Sequence, residues 1–172
     1  MPAPVPPMKR LLLIVLLCLP GSALALDSIA LEGGRGTGRT NLLRLGLQWQ
    51  GHDKWLEHSS WHIAHYMELA FGGWNNGHDT VYDLGVTPVF RFQRASGGYL
   101  EAAIGFHAVS RLEFEDNRET STKFQFGDHI GAGLVHGRYD FGLRLQHLSN
   151  GGIRNPNPGI NFILFRVQYL LD

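Results

Sequence analysis

From residue 41 onward the chain alternates apolar and polar positions with a period of two. Leu43, Leu45, Leu47 and Trp49 share one face over residues 41–50, and Arg44, Gly46 and Gln48 share the other, because successive strand side chains point to opposite faces. The same pattern predicts strands at 61–74 (Ile63, Met67, Leu69 and Phe71 against His62, Tyr66 and Glu68), 80–92 (Leu84, Val86, Phe90 and Phe92 against Asp83, Thr87 and Arg91) and 99–109 (Leu100, Ile104 and Phe106 against Glu101 and His107). It continues at 124–135 (Phe126, Ile130 and Leu134 against Gln125 and His129), 139–149 (Phe141, Leu143 and Leu145 against Arg144 and Gln146) and 161–171 (Ile163, Phe165 and Val167 against Arg166 and Gln168). Residues 28–34 make a short, weak strand. Pro88 cannot join a ladder and predicts a bulge. Residues 51–60 form a polar connection, 94–98 and 136–138 tight turns, and 110–123 a long charged loop.

That is about eight strands of roughly ten residues, the length that a tilted strand needs to cross a membrane. One face of each is oily. The other carries Arg44, Glu68, Asp83, Arg91, Glu101, Arg144 and Arg166, which nearly balance in sign. The reading is an all-β, eight-stranded antiparallel transmembrane β-barrel. Its apolar rows face lipid and its charges pair in a narrow lumen. Trp49, Trp61, Phe92 and Tyr169 supply an aromatic girdle, and an even strand count leaves no edge. A soluble sandwich would alternate too, with the oily face inside. With both chain ends in the periplasm, the loops near Trp74, Ser110 and Asn150 reach the outer surface.

Composition narrows the function. The formal net charge is zero, which gives no support to a nucleic-acid partner held by phosphate neutralisation. Lys9-Arg10, the run 11–19 and Ala23-Leu24-Ala25 read as a secretory signal peptide over 1–25, leaving the barrel over 26–172. The single cysteine, Cys18, falls in that leader. Gly33 to Thr40 looks like a phosphate-binding loop with Arg for Lys, but a strand follows where that loop opens a helix, so a glycine-rich turn is expected. The nine histidines show no ligand spacing with a carboxylate, and no metal or other cofactor is expected.

The end of the chain carries the chemistry. His147 and Ser149 continue the apolar row of Phe141, Leu143 and Leu145, so a base and a hydroxyl lie on the oily face. Two residues apart, they supply the minimum for an activated serine nucleophile. Asn161 opens the next strand in the outward row of Ile163, where it can orient the imidazole. The turn Asn150-Gly151-Gly152 offers donors for an oxyanion hole. Spacing alone favours a plainer reading, in which these residues form the polar rim where a strand leaves the membrane.

His147-Leu148-Ser149-Asn150-Gly151-Gly152-Ile153 followed by Pro156-Asn157-Pro158-Gly159-Ile160 resembles the signature of the PagL family, the outer-membrane lipid A 3-O-deacylases. Residues 126–134 and 43–47 are also similar to it. The resemblance implies a bacterial outer-membrane barrel whose site faces the outer leaflet. There it hydrolyses the ester-linked 3-hydroxyacyl chain at the 3-position of lipid A, with Ser149 as nucleophile, His147 as base, and Asn150 and the Gly152 N–H as oxyanion donors. The family's best-known member carries a glutamate where this chain has Asn161. Expected partners are lipopolysaccharide, the outer membrane and, as an open case, a second copy in a homodimer. Arg154, Arg39 and Lys123 are candidates to meet lipid A phosphates. The rival is a non-catalytic barrel, structural or adhesive, using the 110–123 loop.

Overall fold

The computed structural model describes residues 25–171 apart from 39, 59 and 116. The expected leader, with Cys18, lies outside the described residues except for Ala25, and so does Arg39.

The strands are β1 (Ser28–Gly36), β2 (Asn41–Gln50), β3 (Trp55–His58), β4 (Trp61–Asn75), β5 (Thr80–Arg94), β6 (Gly98–Val109), β7 (Glu113–Glu115), β8 (Arg118–Glu119), β9 (Phe124–His136), β10 (Tyr139–Ser149) and β11 (Ile160–Leu170). Eight of them close a ring in the order β1, β2, β4, β5, β6, β9, β10, β11 and back to β1, each pair antiparallel. β3 adds to the start of β4, and β7 and β8 form a separate hairpin.

The rows divide as the alternation predicts. Leu43, Ile104 and Ile163 are 62%, 65% and 63% exposed, whereas Arg44, Arg144 and Arg166 are at most 2% exposed. A wall with its oily rows outside and its arginines inside is stable only against lipid. The barrel interior holds four arginines (Arg44, Arg91, Arg144, Arg166) and five carboxylates (Glu32, Glu68, Asp83, Glu101, Asp140), all buried. Arg144 reaches Glu32 at 2.5 Å, Glu68 at 2.9 Å and Glu101 at 2.7 Å. Arg91 pairs with Glu101 and Asp140, each at 2.8 Å. Tyr66 donates to Glu101 and Tyr99 to Asp140. Such a network is tolerable because most lone pairs and protons find partners.

Three expectations change. β1 is not weak: it pairs along its whole length with β11 and nearly so with β2. A Cβ at Gly34 would overlap the Ile163 carbonyl oxygen, so glycine there permits the close approach. Pro88 makes no bulge. The β5–β6 ladder lapses beside it and resumes in the same register, from Val86↔Phe106 to Val89↔Ala103. The 110–123 loop is not a free charged surface, because β7 turns Phe114 into the barrel mouth.

That mouth matters for the site. At the end where the longer loops gather, the interior switches from ions to an apolar plug of Leu42, Trp74, Val81, Phe114, Leu148, Ile160, Phe162 and Leu164. The Trp74 indole donates to the Phe114 carbonyl at 2.8 Å. The pattern there inverts: Leu148 and Phe162 point in, while His147, Ser149 and Asn161 point out. The opposite end carries the girdle, with Trp61 stacked on Phe92 at 4.4 Å and Tyr139 edge-on to Tyr169 at 5.4 Å.

Candidate active site

His147 on β10 lies directly across from Asn161 on β11. Its Nδ1 is 2.7 Å from Asn161 Oδ1. An amide oxygen can only accept, so Nδ1 carries the proton and Nε2 is left free as a base. Asn161 is itself pinned. Its backbone N–H donates to Thr37 Oγ1 at 3.1 Å, and its carbonyl accepts the Thr37 N–H at 2.8 Å. The turn after β1 thus fixes the residue that fixes the imidazole.

Ser149 ends β10, two residues on and on the same outward face. Its Oγ accepts the Gly151 N–H at 3.4 Å. No hydrogen bond joins His147 to Ser149 among the described residues. The pair shares a face and a strand end.

The expected oxyanion donors are placed differently. Asn150 is fully buried, since the next position along the strand must face inward. Its amide donates to Ser121 Oγ at 3.0 Å and to the Arg154 carbonyl at 2.7 Å, and its oxygen accepts the Gly152 N–H at 2.9 Å. Both Asn150 and the Gly152 N–H are therefore engaged in shaping the loop rather than aimed at Ser149. The donor beside the hydroxyl is the Gly151 N–H. Asn157 completes the loop by accepting the Asn150 N–H at 3.0 Å.

Gly159, Arg118 and Asp128, which sequence reasoning missed, also border the site. Gly159, at φ +60°, lies against the imidazole, and a Cβ there would stand 2.6 Å from Cε1 and 3.0 Å from Nε2 of His147. Only glycine combines this backbone with this proximity. Arg118, in the hairpin over the loop, donates to the carbonyls of Pro158 at 3.1 Å and Gly159 at 3.3 Å, and so holds that glycine down. Asp128 is the third. It faces outward on β9 opposite His147, in a row otherwise made of Phe126, Ile130 and Ala132. A carboxylate interrupting an oily row was the available signal.

Below the pair the outer wall is concave. A groove of about 820 Å³ runs between Pro88, Phe90 and Ile104 on one side and Leu145, His147 and Ile163 on the other. A further hollow of about 540 Å³, sharing Ile130, Leu145 and Ile163, extends it down the wall. The small Ala102 and Ala132 leave this space. Of the cations expected to meet phosphate, Arg154 offers its carbonyl to Ser121, and Lys123 sits at the start of β9.

A family model described as lipid A 3-O-deacylase (PagL) matches residues 41–170. The lipid A deacylase PagL of Bordetella bronchiseptica is 41% identical over 101 residues, which cover 58% of this chain but only 55% of that protein. The lipid A deacylase PagL of Pseudomonas aeruginosa is 34% identical over 165 residues, 89% of this chain and 94% of that one. Among solved structures, the crystal structure of the outer membrane enzyme PagL superimposes with a TM-score of 0.79 at 27% identity, over 84% of this chain and 99% of the other. A de novo designed transmembrane β-barrel matches with a TM-score of 0.55 at 13% identity, a likeness of fold alone.

Proposed function

The chain belongs to the PagL family of lipid A 3-O-deacylases, and from this we propose that it hydrolyses the ester-linked 3-hydroxyacyl chain at the 3-position of lipid A from the outer leaflet side of the outer membrane. Residues 1–25 are removed as a leader in this reading. Ser149 attacks the ester carbonyl, and its proton passes to Nε2 of His147. Asn161 holds the ring in the tautomer that leaves Nε2 free. The Gly151 N–H meets the oxyanion, with Asn150 and Gly152 keeping the turn in shape. His147 then gives the proton to the sugar oxygen as that C–O bond breaks and the sugar leaves; the acyl group stays on Ser149 as an ester, and water, deprotonated by His147 in the same way, releases the fatty acid.

The observation that carries this reading is the 2.7 Å His147–Asn161 contact on the lipid-facing wall, one side-chain step from Ser149. A catalytic pair on that wall meets a lipid without extracting it from the bilayer, and the groove beneath receives the acyl chain. All the proposed groups come from one chain, so a homodimer is not required for the chemistry.

Mass spectrometry of lipid A from cells expressing the protein tests it. The wild type should remove one 3-hydroxyacyl chain, and Ser149→Ala and His147→Ala, present as folded barrels, should remove none. Unchanged lipid A with folded wild-type protein in the outer membrane would overturn the reading.

A further inference from the structure

Among the described residues, Arg35 is a cation that takes part neither in the lumen network nor in a loop contact. Arg35 lies on β1, in an outward row whose other members are Ile29, Leu31 and Gly33. It is exposed and has no hydrogen-bond or ion-pair partner among the described residues. Arginine on a lipid-facing row is costly toward the bilayer centre and cheap only at the headgroup level. Its neighbours across the ladder are Ile163 on β11 and Asn41 on β2. Ile163 is two residues from Asn161, so Arg35 sits beside the catalytic row, roughly 10 Å, or two strand spacings, from the strand that carries His147.

The surface there is hollow. Arg35, Gly38, Thr40 and Asn41 line a cleft of about 210 Å³. Thr40 Oγ1 already donates to the Thr37 carbonyl at 3.0 Å, which among the described residues leaves the Arg35 guanidinium and the Asn41 amide as the cleft's side-chain donors. Among the described residues, the carboxylate against this turn is that of Glu115, which is paired with Arg118 at 3.0 Å. The cleft therefore presents positive charge and N–H donors toward the headgroup level, on the side of the site away from Asp128.

We propose that Arg35, with Asn41, forms the subsite for a phosphate monoester on the sugar that bears the scissile ester, the anomeric phosphate of lipid A. This rests on the assignment of His147 and Ser149 as the reacting pair. A planar guanidinium grips phosphate oxygens with two parallel N–H donors. The phosphate and the acylated 3-oxygen lie on one glucosamine ring, so an arginine reaching in from two strands away holds the ring while the ester rests at Ser149. Arg35 is thus a specificity-determining residue. Arg154 and Lys123 are not needed for this contact.

The test uses the full barrel in detergent micelles and two substrates, a 3-O-acylated diacylglucosamine 1-phosphate and the same lipid after phosphatase treatment. Wild type should prefer the phosphorylated lipid by roughly tenfold or more in kcat/KM, the scale of a charge-assisted hydrogen bond. Arg35→Gln should lose that preference, chiefly through KM, while its rate on the dephosphorylated lipid stays at the wild-type value, which also shows that the variant is folded. Arg35→Lys should keep part of the preference and Asn41→Ala should lower it. Equal losses on both substrates in Arg35→Gln would make Arg35 a general anchor to phospholipid headgroups and overturn the proposal, as would a wild type indifferent to the phosphate. Failure of the wild type on both lipids would instead strike the deacylase reading itself.

Discussion

Replacing Asn161 by alanine removes one neutral acceptor, 2.7 Å from Nδ1 of His147, and opens no cavity, because the side chain is on the exposed outer wall. The loss is a neutral hydrogen bond, about 0.5–1.5 kcal/mol net, realised in the step where the ring becomes charged. At about 1.4 kcal/mol per tenfold in rate, Asn161→Ala should lower kcat by about two- to twelvefold. That is far short of removing His147, because Gly159 still packs against the imidazole. Asn161→Asp makes the opposite change. It keeps the acceptor but adds a charge facing the imidazolium, and charge-assisted bonds are roughly twice as strong as neutral ones, so kcat should rise about fivefold. Initial rates of 3-hydroxyacyl release from lipid A micelles measure both, with the mobility difference between boiled and unboiled barrel as the check on folding. An Asn161→Ala enzyme at full kcat would remove Asn161 from the machinery. A slower Asn161→Asp enzyme would show that the ring's charge is not what this contact stabilises.

Three further outcomes follow from other parts of the molecule. Gly159→Ala places a methyl against Nε2 of His147 at a left-handed backbone position, and should abolish deacylation while leaving the barrel's gel mobility unchanged. Arg144→Met strips Glu32, Glu68 and Glu101 of a shared partner and should destabilise the barrel by about 3–5 kcal/mol, the scale for breaking a buried ion pair, read as a lower urea midpoint of unfolding in micelles. Ala102→Trp fills the groove below the site and should raise KM for long-chain substrates while leaving hydrolysis of a short soluble ester near the wild-type rate.

The barrel was legible because a membrane wall imposes period-two alternation on every strand, and no long insertion disguises it here. Strand ends came within a few residues of their places, and the buried arginines follow from the pattern alone. β1 read as weak because Gly33, Gly34 and Gly36 remove side chains from its rows, yet Gly34 is what lets it lie close to β11. The plug was hidden because Phe114 is a single aromatic in a charged loop, and only the hairpin of β7 and β8 turns it inward. Asn150 shows a motif overriding a simpler rule. Carrying the alternation one residue past Ser149 already places Asn150 on the inner face, away from an oxyanion at Ser149. Asp128 is hard to read for the converse reason, since a charge in an outward row breaks the alternation without naming its partner. The His147–Asn161 partnership was readable because register in the final hairpin sets the two residues opposite each other. What sequence cannot fix is rotamer, and hence whether ring and hydroxyl already touch.

Activation of Ser149 by His147 on the lipid-facing wall is tested most directly by exposing the micelle-embedded barrel to a long-chain alkyl fluorophosphonate and locating the adduct by peptide mass spectrometry. One phosphonyl group on Ser149 in the wild type, lost in His147→Ala and slowed in Asn161→Ala, is the predicted result. A barrel that stays unlabelled, or that is labelled at Ser149 equally well without His147, would contradict it.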